Sequence, residues 1–390
     1  MHHYLLIIIM WGIIATTPTP TPCVESDITC DAYIQTVIQR GIEHREAGRY
    51  WEAIADFTII IDQYPTRTDA YFHRGSVYYF FTDYETAYLD FDKVIQLDPT
   101  YPQAYTRRGA VLAGMGEYDR ALADFEEAIR QNPTDVDIYA YRGFMYQQRG
   151  DYALAIADYT EVIRLEPNGD RRFNTLYNRG IVYYAMGEYD LALADFETII
   201  HDCPDCTRAF YYRGKVYLDL ADYPNAIIAF TEAILIRPDY SDYYYHRALA
   251  YEGFGQFDLA LADYQESIHL DENGNTYVHL GLLLFDMGDY EGALENFQQV
   301  LYYGPHENLH YRIEFIHYHI ALTYVRLNDY ETAGQVMARA VNAMRYPVFN
   351  SLSDWINGQS GMSINLNMLF NSLLHLMNID VTSPIIDATG

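Results

Sequence analysis

The chain has 390 residues, half of them apolar and 16% aromatic, a composition that excludes an intrinsically disordered protein. Its 54 acidic residues outnumber its 25 basic residues, so the formal net charge is −29. Such a negative field repels phosphate backbones, which argues against a nucleic-acid-binding protein, and it attracts basic protein segments.

The first predicted element is the apolar run Tyr4–Ala15. It is too short for a helix that crosses a bilayer, which needs about 20 residues, but it has the length of the hydrophobic region of a signal peptide. Two histidines stand before it where Lys or Arg is usual, and no A-x-A cleavage motif follows it. We predict a signal-peptide region at residues 1–15 and a Thr- and Pro-rich linker at residues 16–30. This places the protein in an extracytoplasmic or secreted location, with the cytoplasm as the alternative.

A sequence repeat of about 34 residues begins after the linker. In each of nine repeats, a small residue is followed nine positions later by an aromatic residue, as Gly41 is by Tyr50. An Ala follows three positions on, then a bulky apolar residue and an aliphatic residue at steps of four, as in Ala53, Phe57 and Ile61. These steps place the three side chains on one helical face, and the Pro at the end of most repeats stops the second helix. No segment alternates with a period of two, so no sheet is predicted.

These residues resemble the tetratricopeptide repeat, and the resemblance covers about residues 34–345. It implies an all-α fold, a right-handed α-solenoid (superhelix) of tandem helix-turn-helix hairpins, with a concave groove lined by the first helix of each repeat. We therefore predict nine repeats within residues 31–345. Residues 346–390 are predicted to form a C-terminal helical cap and tail, because a solenoid needs a cap over its last apolar face.

One departure from the family's pattern is an Arg immediately before the small residue in seven repeats. Six of these Arg are followed 16 positions later by Asp; only Arg213 is not, and the two repeats without the Arg also lack the Asp. A guanidinium matches a carboxylate through two parallel hydrogen bonds, so we predict a structural ion pair that fixes the register of the two helices. The predicted pairs are Arg40–Asp56, Arg74–Asp90, Arg108–Asp124, Arg142–Asp158, Arg179–Asp195 and Arg247–Asp263. The alternative is a ladder of Arg side chains that captures an acidic ligand.

The resemblance also implies which first-helix positions line the groove, and aromatic residues are frequent there. The predicted groove residues are Phe72, Tyr79, Tyr177, Tyr184, Tyr211, Tyr245, Phe285 and Tyr318. Tyr offers a partner apolar surface and a hydroxyl at a low entropic cost. The alternative is that these side chains pack between repeats. The carboxylate clamp of the family is not predicted, because Lys215 stands alone among the positions that the clamp would need.

The four cysteines form two close pairs, Cys23 with Cys30 and Cys203 with Cys206. An even number in an exported protein predicts two local disulfides. The second pair has C-x-x-C spacing but lies in a turn between repeats, not at the start of a helix beside a strand. We therefore predict a structural clip, with a redox site, a metal site or free thiols as the alternatives.

A metal hypothesis is raised by His306, His310 and His317, which could share a helical face with Glu314. We predict no metal site, because His306 directly follows a Pro at the start of an element and no second-shell partner can be identified.

No nucleophile–base pair, phosphate loop or carboxylate dyad is recognisable in the sequence. We therefore predict that the chain is not an enzyme and uses no cofactor. The predicted function is a protein–protein interaction scaffold that binds a protein or peptide segment, basic in character, in its aromatic-lined groove. The alternative is a carbohydrate- or cell-envelope-binding protein that uses the same Tyr-rich groove. No stable membrane span is expected, and the oligomeric state and the partner stay open.

Overall fold

The structure, a computed structural model, describes residues 28–101, 103–169, 171–303 and 313–343. The predicted signal-peptide region, Cys23, His306, His310 and the predicted C-terminal cap lie outside these residues, as does most of the predicted linker. The last three linker residues are helical, because the first helix begins at Ile28.

The described part of the chain contains 18 α-helices and no strand. The first nine are α1 (Ile28–Glu46), α2 (Tyr50–Gln63), α3 (Thr68–Phe80), α4 (Tyr84–Leu97), α5 (Ala104–Gly114), α6 (Tyr118–Gln131), α7 (Val136–Arg149), α8 (Tyr152–Leu165) and α9 (Arg172–Ala185). The other nine are α10 (Tyr189–Asp202), α11 (Thr207–Asp219), α12 (Tyr223–Ile236), α13 (Ser241–Gly253), α14 (Phe257–Leu270), α15 (Gly274–Met287), α16 (Tyr290–Tyr303), α17 (Ile313–Arg326) and α18 (Tyr330–Ala343). The 18 helices correspond to the nine predicted repeats, each of two helices.

The chain divides into two compact units, Met1–Leu191 and Ala192–Gly390. In the first unit, α1 and α2, α3 and α4, α5 and α6, and α7 and α8 form successive hairpins, and α9 packs against α8. In the second unit, α11 and α12, α13 and α14, α15 and α16, and α17 and α18 form hairpins that stack in the same order. The prediction of an all-α solenoid of tandem helix-turn-helix hairpins is confirmed. Among the described helices, none is long and apolar enough to cross a membrane.

The core of each hairpin is built from the residues that the repeat pattern singles out. In all nine repeats the Ala and the bulky residue of the second helix are buried, as Ala53 and Phe57 are in the first repeat. The aliphatic position four residues later is less buried than predicted: Ile95 and Ile163 are half-buried. The residue before it is fully buried instead, as Val94 is, because steps of three and four both lie on the inner face of a helix.

The small residue of the first helix allows the two helices of a hairpin to approach closely. A Cβ atom at Gly41 would lie 2.6 Å from the Phe57 ring, and one at Gly214 would lie 2.6 Å from the Phe230 ring. Contacts this short do not occur between unstrained side chains, so Gly is required there by packing. The aromatic ring thus fills the space that the missing side chain leaves.

A residue in the left-handed backbone region ends the first helix of each described hairpin. Gly occupies this position in six turns, for example Gly150 with a φ of 82°. Thr82, Ala221 and Asn328 occupy the same position with φ values of 59°, 55° and 63°. Gly adopts this conformation without steric cost, whereas a side chain with a Cβ strains it.

Candidate functional site

Bidentate Arg–Asp pairs connect the two helices of a hairpin in five repeats. In each pair, Arg Nε and Nη2 donate to the two carboxylate oxygens over 2.5–3.0 Å. All five Asp side chains are buried, which favours such fully hydrogen-bonded geometry. The five pairs are Arg40–Asp56, Arg74–Asp90, Arg108–Asp124, Arg142–Asp158 and Arg247–Asp263.

The fifth and sixth repeats also contain this Arg. Arg179 belongs to the first unit and Asp195 to the second, and their pairing stays a prediction. The buried Ala229 stands 16 residues after Arg213, where six other repeats have Asp, and Arg213 pairs instead with Glu232 at 2.7 Å. Arg213 Nε is buried and has no hydrogen-bond partner among the described residues. The sixth repeat therefore keeps its hairpin without the buried pair.

The guanidinium groups also contact the second helix of the preceding repeat, a contact that sequence reasoning missed. Arg74 Nη1 donates to Thr58 Oγ1 at 3.2 Å, and Arg108 Nη1 donates to Asp92 Oδ1 at 2.6 Å. The signal was present in the sequence, because each acceptor stands 16 residues before its Arg. Such an Arg joins three helices, and most of its donors are already used inside the protein. This argues against the alternative in which the Arg ladder captures an acidic ligand.

Phe72 is mostly buried, although it also lines the cavity of the first unit described below. Its side chain is 8% exposed and packs edge-on against Phe91, with ring centroids 5.6 Å apart. Tyr101, in the loop before α5, lies against the same ring at 5.2 Å. The loop ring covers a position that the repeat pattern alone leaves open, so only the edge of Phe72 reaches the surface.

The other seven predicted groove residues are partly buried: Tyr79, Tyr177, Tyr184, Tyr211, Tyr245, Phe285 and Tyr318. In the second unit, Tyr211 and Tyr245 belong to one continuous row of rings. Tyr211 lies 5.1 Å from His246, His246 lies 4.9 Å from Tyr245, and Tyr245 lies 5.5 Å from His279. These side chains pack between repeats with part of their surface and remain accessible with the rest.

A row of His residues explains this packing and was not recognised in the sequence. His73, His246, His279 and His319 each stand two positions before the small residue of a repeat. Each ring lies against the core aromatic of the preceding repeat, at centroid distances of 5.6–6.0 Å. Burial lowers the pKa of His73 to about 4, and it also lowers the pKa of His319. The rings of His73 and His319 are therefore neutral packing groups at pH 7.

Charged groups beside the second-unit rings carry perturbed pKa values. Lys215 Nζ lies 5.9 Å from the centre of the Tyr211 ring, and burial lowers the pKa of its amine. Burial raises the pKa of Asp242, and the charge of Asp271 raises it further. A carboxylate held partly out of water in this way is stabilised by any cation that a ligand brings.

The fourth and seventh repeats share a hydrogen bond between the core Tyr and the first helix. The Tyr159 hydroxyl donates to Gln147 Oε1 at 2.7 Å, and the Tyr264 hydroxyl donates to Glu252 Oε2 at 2.7 Å. Burial raises the pKa of Glu252 despite this hydrogen bond, which favours the carboxylate. The acceptor of the Tyr hydroxyl is thus a neutral Gln in the fourth repeat and an acidic Glu at the equivalent position of the seventh.

A cavity of about 720 Å³ opens in the first unit, beside α1, α3, α5 and α7. Its polar lining includes Arg45, His73, Ser76, Thr82, Gln103 and Arg107, and no carboxylate is among its described lining residues. Aromatic rings, among them those of Tyr79 and Tyr141, form much of the remaining wall. In a chain with more than twice as many acids as bases, a cavity lined only by cationic and neutral groups is a distinct electrostatic feature.

The second cysteine pair lies between α10 and α11, in the turn between repeats where it was predicted. The Sγ atoms of Cys203 and Cys206 are 2.01 Å apart, and the Cα atoms are 5.4 Å apart. Cys30 contacts the Tyr64 hydroxyl at 3.3 Å, and its predicted partner lies outside the described residues. Among the described residues, no group of three His, Cys, Asp or Glu side chains is placed to hold a metal ion.

Comparison with known proteins agrees with this architecture. Family profiles described as "Tetratricopeptide repeat" match residues 38–102, 102–135, 135–200, 177–241, 217–275, 274–306 and 316–343. No curated protein sequence matches the chain.

Solved structures of repeat proteins resemble the chain at low sequence identity. The C-terminal part of a TPR repeat-containing protein from Cytophaga hutchinsonii is 21% identical, covers 61% of this chain and 96% of its own, and has a TM-score of 0.50. A tetratricopeptide repeat protein from Parabacteroides merdae is 22% identical, with coverages of 66% and 98% and a TM-score of 0.49. MamA from Desulfovibrio magneticus is 26% identical, with coverages of 43% and 93% and a TM-score of 0.40. The first of these supports the fold alone.

Proposed function

Because the chain belongs to the tetratricopeptide repeat family, we propose that it is a non-catalytic scaffold that holds a segment of another protein against the first helices of its repeats. Stacked hairpins bring side chains from separate repeats onto one surface, and this surface can accommodate an extended or helical segment. No reaction is needed to explain the groups described above.

The row of rings in the second unit is the observation that carries this proposal. Tyr211, His246, Tyr245 and His279 come from three successive first helices and contact one another ring to ring. The two Tyr are held in place by these contacts but keep accessible surface, so a partner meets them with little loss of entropy. We define Tyr211 and Tyr245, together with Lys215, Asp242 and Glu252 on the same two first helices, as the second-unit surface.

The charges on the second-unit surface favour a basic segment. Asp242 and Glu252 are carboxyl groups whose pKa values are raised by burial, so a cation from a ligand would stabilise their charged forms. Lys215 is the single cation of this surface, and it lies over Tyr rings with its pKa lowered. A Lys or Arg of a partner could contact the same rings through cation–π interactions.

A binding experiment on the full chain tests this proposal. The protein would be applied to an array of capped dodecapeptides of basic, neutral and acidic composition and, in parallel, to a glycan array. We expect basic peptides to bind, and Tyr211→Ala with Tyr245→Ala to weaken that binding by about tenfold or more. Tyr330→Ala is the matched control, because Tyr330 is exposed at a hairpin turn away from these rings. Retention of glycans with no retained peptide would instead favour a carbohydrate-binding protein.

We also propose that the protein functions outside the cytoplasm with Cys203 and Cys206 oxidised. The apolar run near the N-terminus and the even number of cysteines support this location. Alkylation of the native protein before and after reduction, read by mass spectrometry of the peptide that contains both cysteines, tests the redox state. Full alkylation without reductant in protein isolated from its native source would contradict the proposal.

A further inference from the structure

We propose that a second cavity of the first unit binds one ring of an uncharged saccharide. This cavity has a volume of about 520 Å³, within the range of small-ligand sites. Residues of the loops before α5 and α7 line it, together with the starts of both helices, and we call it the loop cavity. The inference goes beyond the proposed scaffold function, because it assigns a different class of ligand to a different part of the chain.

The loop cavity lies where the row of first-helix rings is interrupted. Five repeats carry an aromatic residue three positions before the small residue, as at Phe72 and Tyr211, but the third repeat carries Thr106 there. A Thr side chain fills much less space than a ring, so this substitution leaves room beneath the two loops. Thr106 lines the cavity that results.

The hydroxyl of Thr106 is a buried group that a ligand would satisfy. Thr106 is 1% exposed, and its Oγ1 atom has no hydrogen-bond partner among the described residues. By contrast, the equally buried Thr323 donates to the carbonyl oxygen of His319 at 2.7 Å. A buried hydroxyl without a partner is unfavourable, so a ligand that reaches Thr106 with a hydroxyl of its own gains a hydrogen bond that the free protein lacks.

The two loops hold the polar groups of the rim in fixed positions. In the loop before α5, the backbone N and Oγ1 of Thr100 donate to Asp98 Oδ1 at 2.9 and 2.8 Å. In the loop before α7, the backbone N and Oγ1 of Thr134 donate to Asn132 Oδ1 at 3.3 and 3.0 Å. A rim that is ordered before the ligand arrives loses little entropy on binding.

Neutral hydroxyl and amide groups form most of the polar lining. Both kinds of group donate and accept hydrogen bonds, which is what the hydroxyls of a sugar require of a site. The neutral polar side chains that line the loop cavity are those of Thr100, Gln103, Thr106, Gln131, Asn132 and Thr134.

The charges around the loop cavity favour an uncharged ligand. Asp135 and Glu166 line it and none of its described lining residues is Lys or Arg, so an anion is disfavoured. Burial raises the pKa of Asp135, and the positive charges of Arg171 and Arg107 act in the opposite direction. The same two Arg lie 2.6 and 3.6 Å from Asp137. These carboxylates already face fixed cations, so they serve a ligand as hydrogen-bond acceptors.

Two Tyr rings give a sugar an apolar surface to pack on. Tyr101 and Tyr105 line the loop cavity, and both are half-buried. Tyr101 lies against Phe72 at 5.2 Å, and Arg108 lies over the Tyr105 ring at 5.6 Å, so both rings are held in place. The C–H face of a pyranose can pack on such a ring while its hydroxyls reach the neighbouring polar groups. Burial raises the pKa of Tyr101 to about 12, so its hydroxyl stays protonated and can donate.

Saturation-transfer NMR on the full chain tests this inference. The probes are the methyl glycosides of glucose, galactose, mannose and N-acetylglucosamine, with acetyl-Gln-Ser-Asn-Gly-amide as an uncharged polar peptide for comparison. We expect saturation to pass from the protein to the ring protons of at least one glycoside. Because a single sugar ring makes few contacts, its dissociation constant should lie in the millimolar range.

Thr106→Val is the most specific variant, because it removes the unpartnered hydroxyl and keeps the shape of the side chain. It should weaken binding of that glycoside by about fivefold. It should not lower the thermal midpoint of unfolding, since the hydroxyl makes no hydrogen bond in the free protein. Thr323→Val is the matched control, because the Thr323 hydroxyl is buried and partnered. The control should lower the thermal midpoint of unfolding and leave glycoside binding unchanged.

A second pair of variants tests the contribution of the rings. Tyr105→Leu removes a ring of the loop cavity and should also weaken glycoside binding by about fivefold. Tyr244→Leu is its control, because Tyr244 is the equivalent residue of the seventh repeat and has Arg247 over its ring at the same distance of 5.6 Å. Equal losses in the two variants would overturn the assignment to the loop cavity.

The remaining outcomes separate this inference from the proposed function. No transfer to any of the four glycosides, or transfer to the peptide alone, would overturn the saccharide assignment. Glycoside binding that survives both Thr106→Val and Tyr105→Leu, or that is lost with Tyr211→Ala and Tyr245→Ala, would overturn the site. The scaffold function stands or falls separately, because retention of basic peptides depends on Tyr211 and Tyr245 and should be the same in Thr106→Val as in the wild-type chain.

Discussion

Replacing Arg142 by Leu gives the most direct test of what the buried ion pairs do. Arg142 donates two hydrogen bonds, of 2.8 and 2.7 Å, to Asp158, which is 5% exposed. Leu occupies the equivalent position in the eighth repeat, at Leu280, so the change introduces a residue that this fold already accepts. The variant leaves a buried carboxylate without its partner.

The expected cost is about 3 kcal/mol of local stability at pH 7, the lower end of the range for a buried charge that loses its partner. The lower end applies because the Arg142 side chain keeps 19% of its surface, so water reaches the pair from that side. Burial already raises the pKa of Asp158 in the presence of Arg142, and loss of the guanidinium should raise it further. A folded-state pKa above the unfolded one means that stability falls as the pH rises through it. The deficit of the variant should therefore be largest at neutral pH and shrink toward pH 4.

Hydrogen exchange read by mass spectrometry measures this locally. Amides of α7 and α8 should exchange roughly a hundredfold faster in Arg142→Leu, while amides of α13 and α14 serve as the internal reference. Adding Asp158→Asn to Arg142→Leu reproduces the Leu280 and Asn296 of the eighth repeat, and this double variant should recover most of the lost stability. Arg213→Leu should cost less than about 1 kcal/mol, because its partner Glu232 is 43% exposed. Unchanged exchange in Arg142→Leu, or a double variant no better than the single one, would refute the reasoning.

Three further changes test the packing, the turns and the buried carboxyl. Gly214→Ala should destabilise the sixth repeat by about 2 kcal/mol, because the Cβ of the introduced Ala would lie 2.6 Å from the Phe230 ring. Urea denaturation followed by circular dichroism measures this loss. Ala221→Gly should stabilise the protein by about 0.5–1 kcal/mol in the same assay, because Ala221 has a φ of 55°, and a lower urea midpoint would contradict this. Glu252→Gln should raise the thermal midpoint of unfolding at pH 7 but not at pH 4, because the raised pKa of Glu252 makes its ionised form unfavourable. An equal change at both pH values would show that the charge of Glu252 is not the cause.

The natural repeats support the last of these predictions. Gln147 already accepts the hydrogen bond of Tyr159 in the geometry in which Glu252 accepts that of Tyr264. The amide oxygen of a Gln can therefore satisfy the buried hydroxyl without placing a charge there. If the acid has been kept in the seventh repeat for binding, Glu252→Gln should stabilise the fold and weaken the retention of basic peptides at the same time.

The hairpins could be predicted from the sequence because their determinants recur. Gly41, Ala53 and Phe57 have counterparts in every repeat, and a period of 34 residues fixes both helices and their register. The Arg–Asp pairing could be inferred for a related reason, since Arg and Asp were absent together from the last two repeats. The contact to the preceding repeat obeyed the same spacing and was missed only because its acceptor alternates between Thr and Asp, as at Thr58 and Asp92.

The accessibility of single groove residues could not be predicted, because it depends on the connecting loops. Phe72 and Tyr211 occupy equivalent positions of their repeats, yet Phe72 is buried and Tyr211 keeps accessible surface. Both repeats are followed by a loop Tyr at the equivalent position, but Tyr101 packs against Phe72, whereas Tyr240 packs against Tyr243. The cavity was missed for a similar reason: Arg45 and Arg107 stand at different positions of their repeats, and a search for periodic residues passes over both.

Neighbouring positions of a first helix therefore have different roles: one packs in the interior and the other lines the cavity. The residue directly before the small residue, such as Arg108, is committed to the interior through Asp124 and Asp92 and recurs along the chain. Residues that break the period, such as Arg107 directly beside it, meet the cavity instead. A surface made only of recurring residues would present the same chemistry at every repeat and could not fix the register of a bound segment. Partner selection must then reside in the aperiodic charged residues, so exchanging these between repeats should change which peptide binds while leaving the stability of the solenoid nearly unchanged.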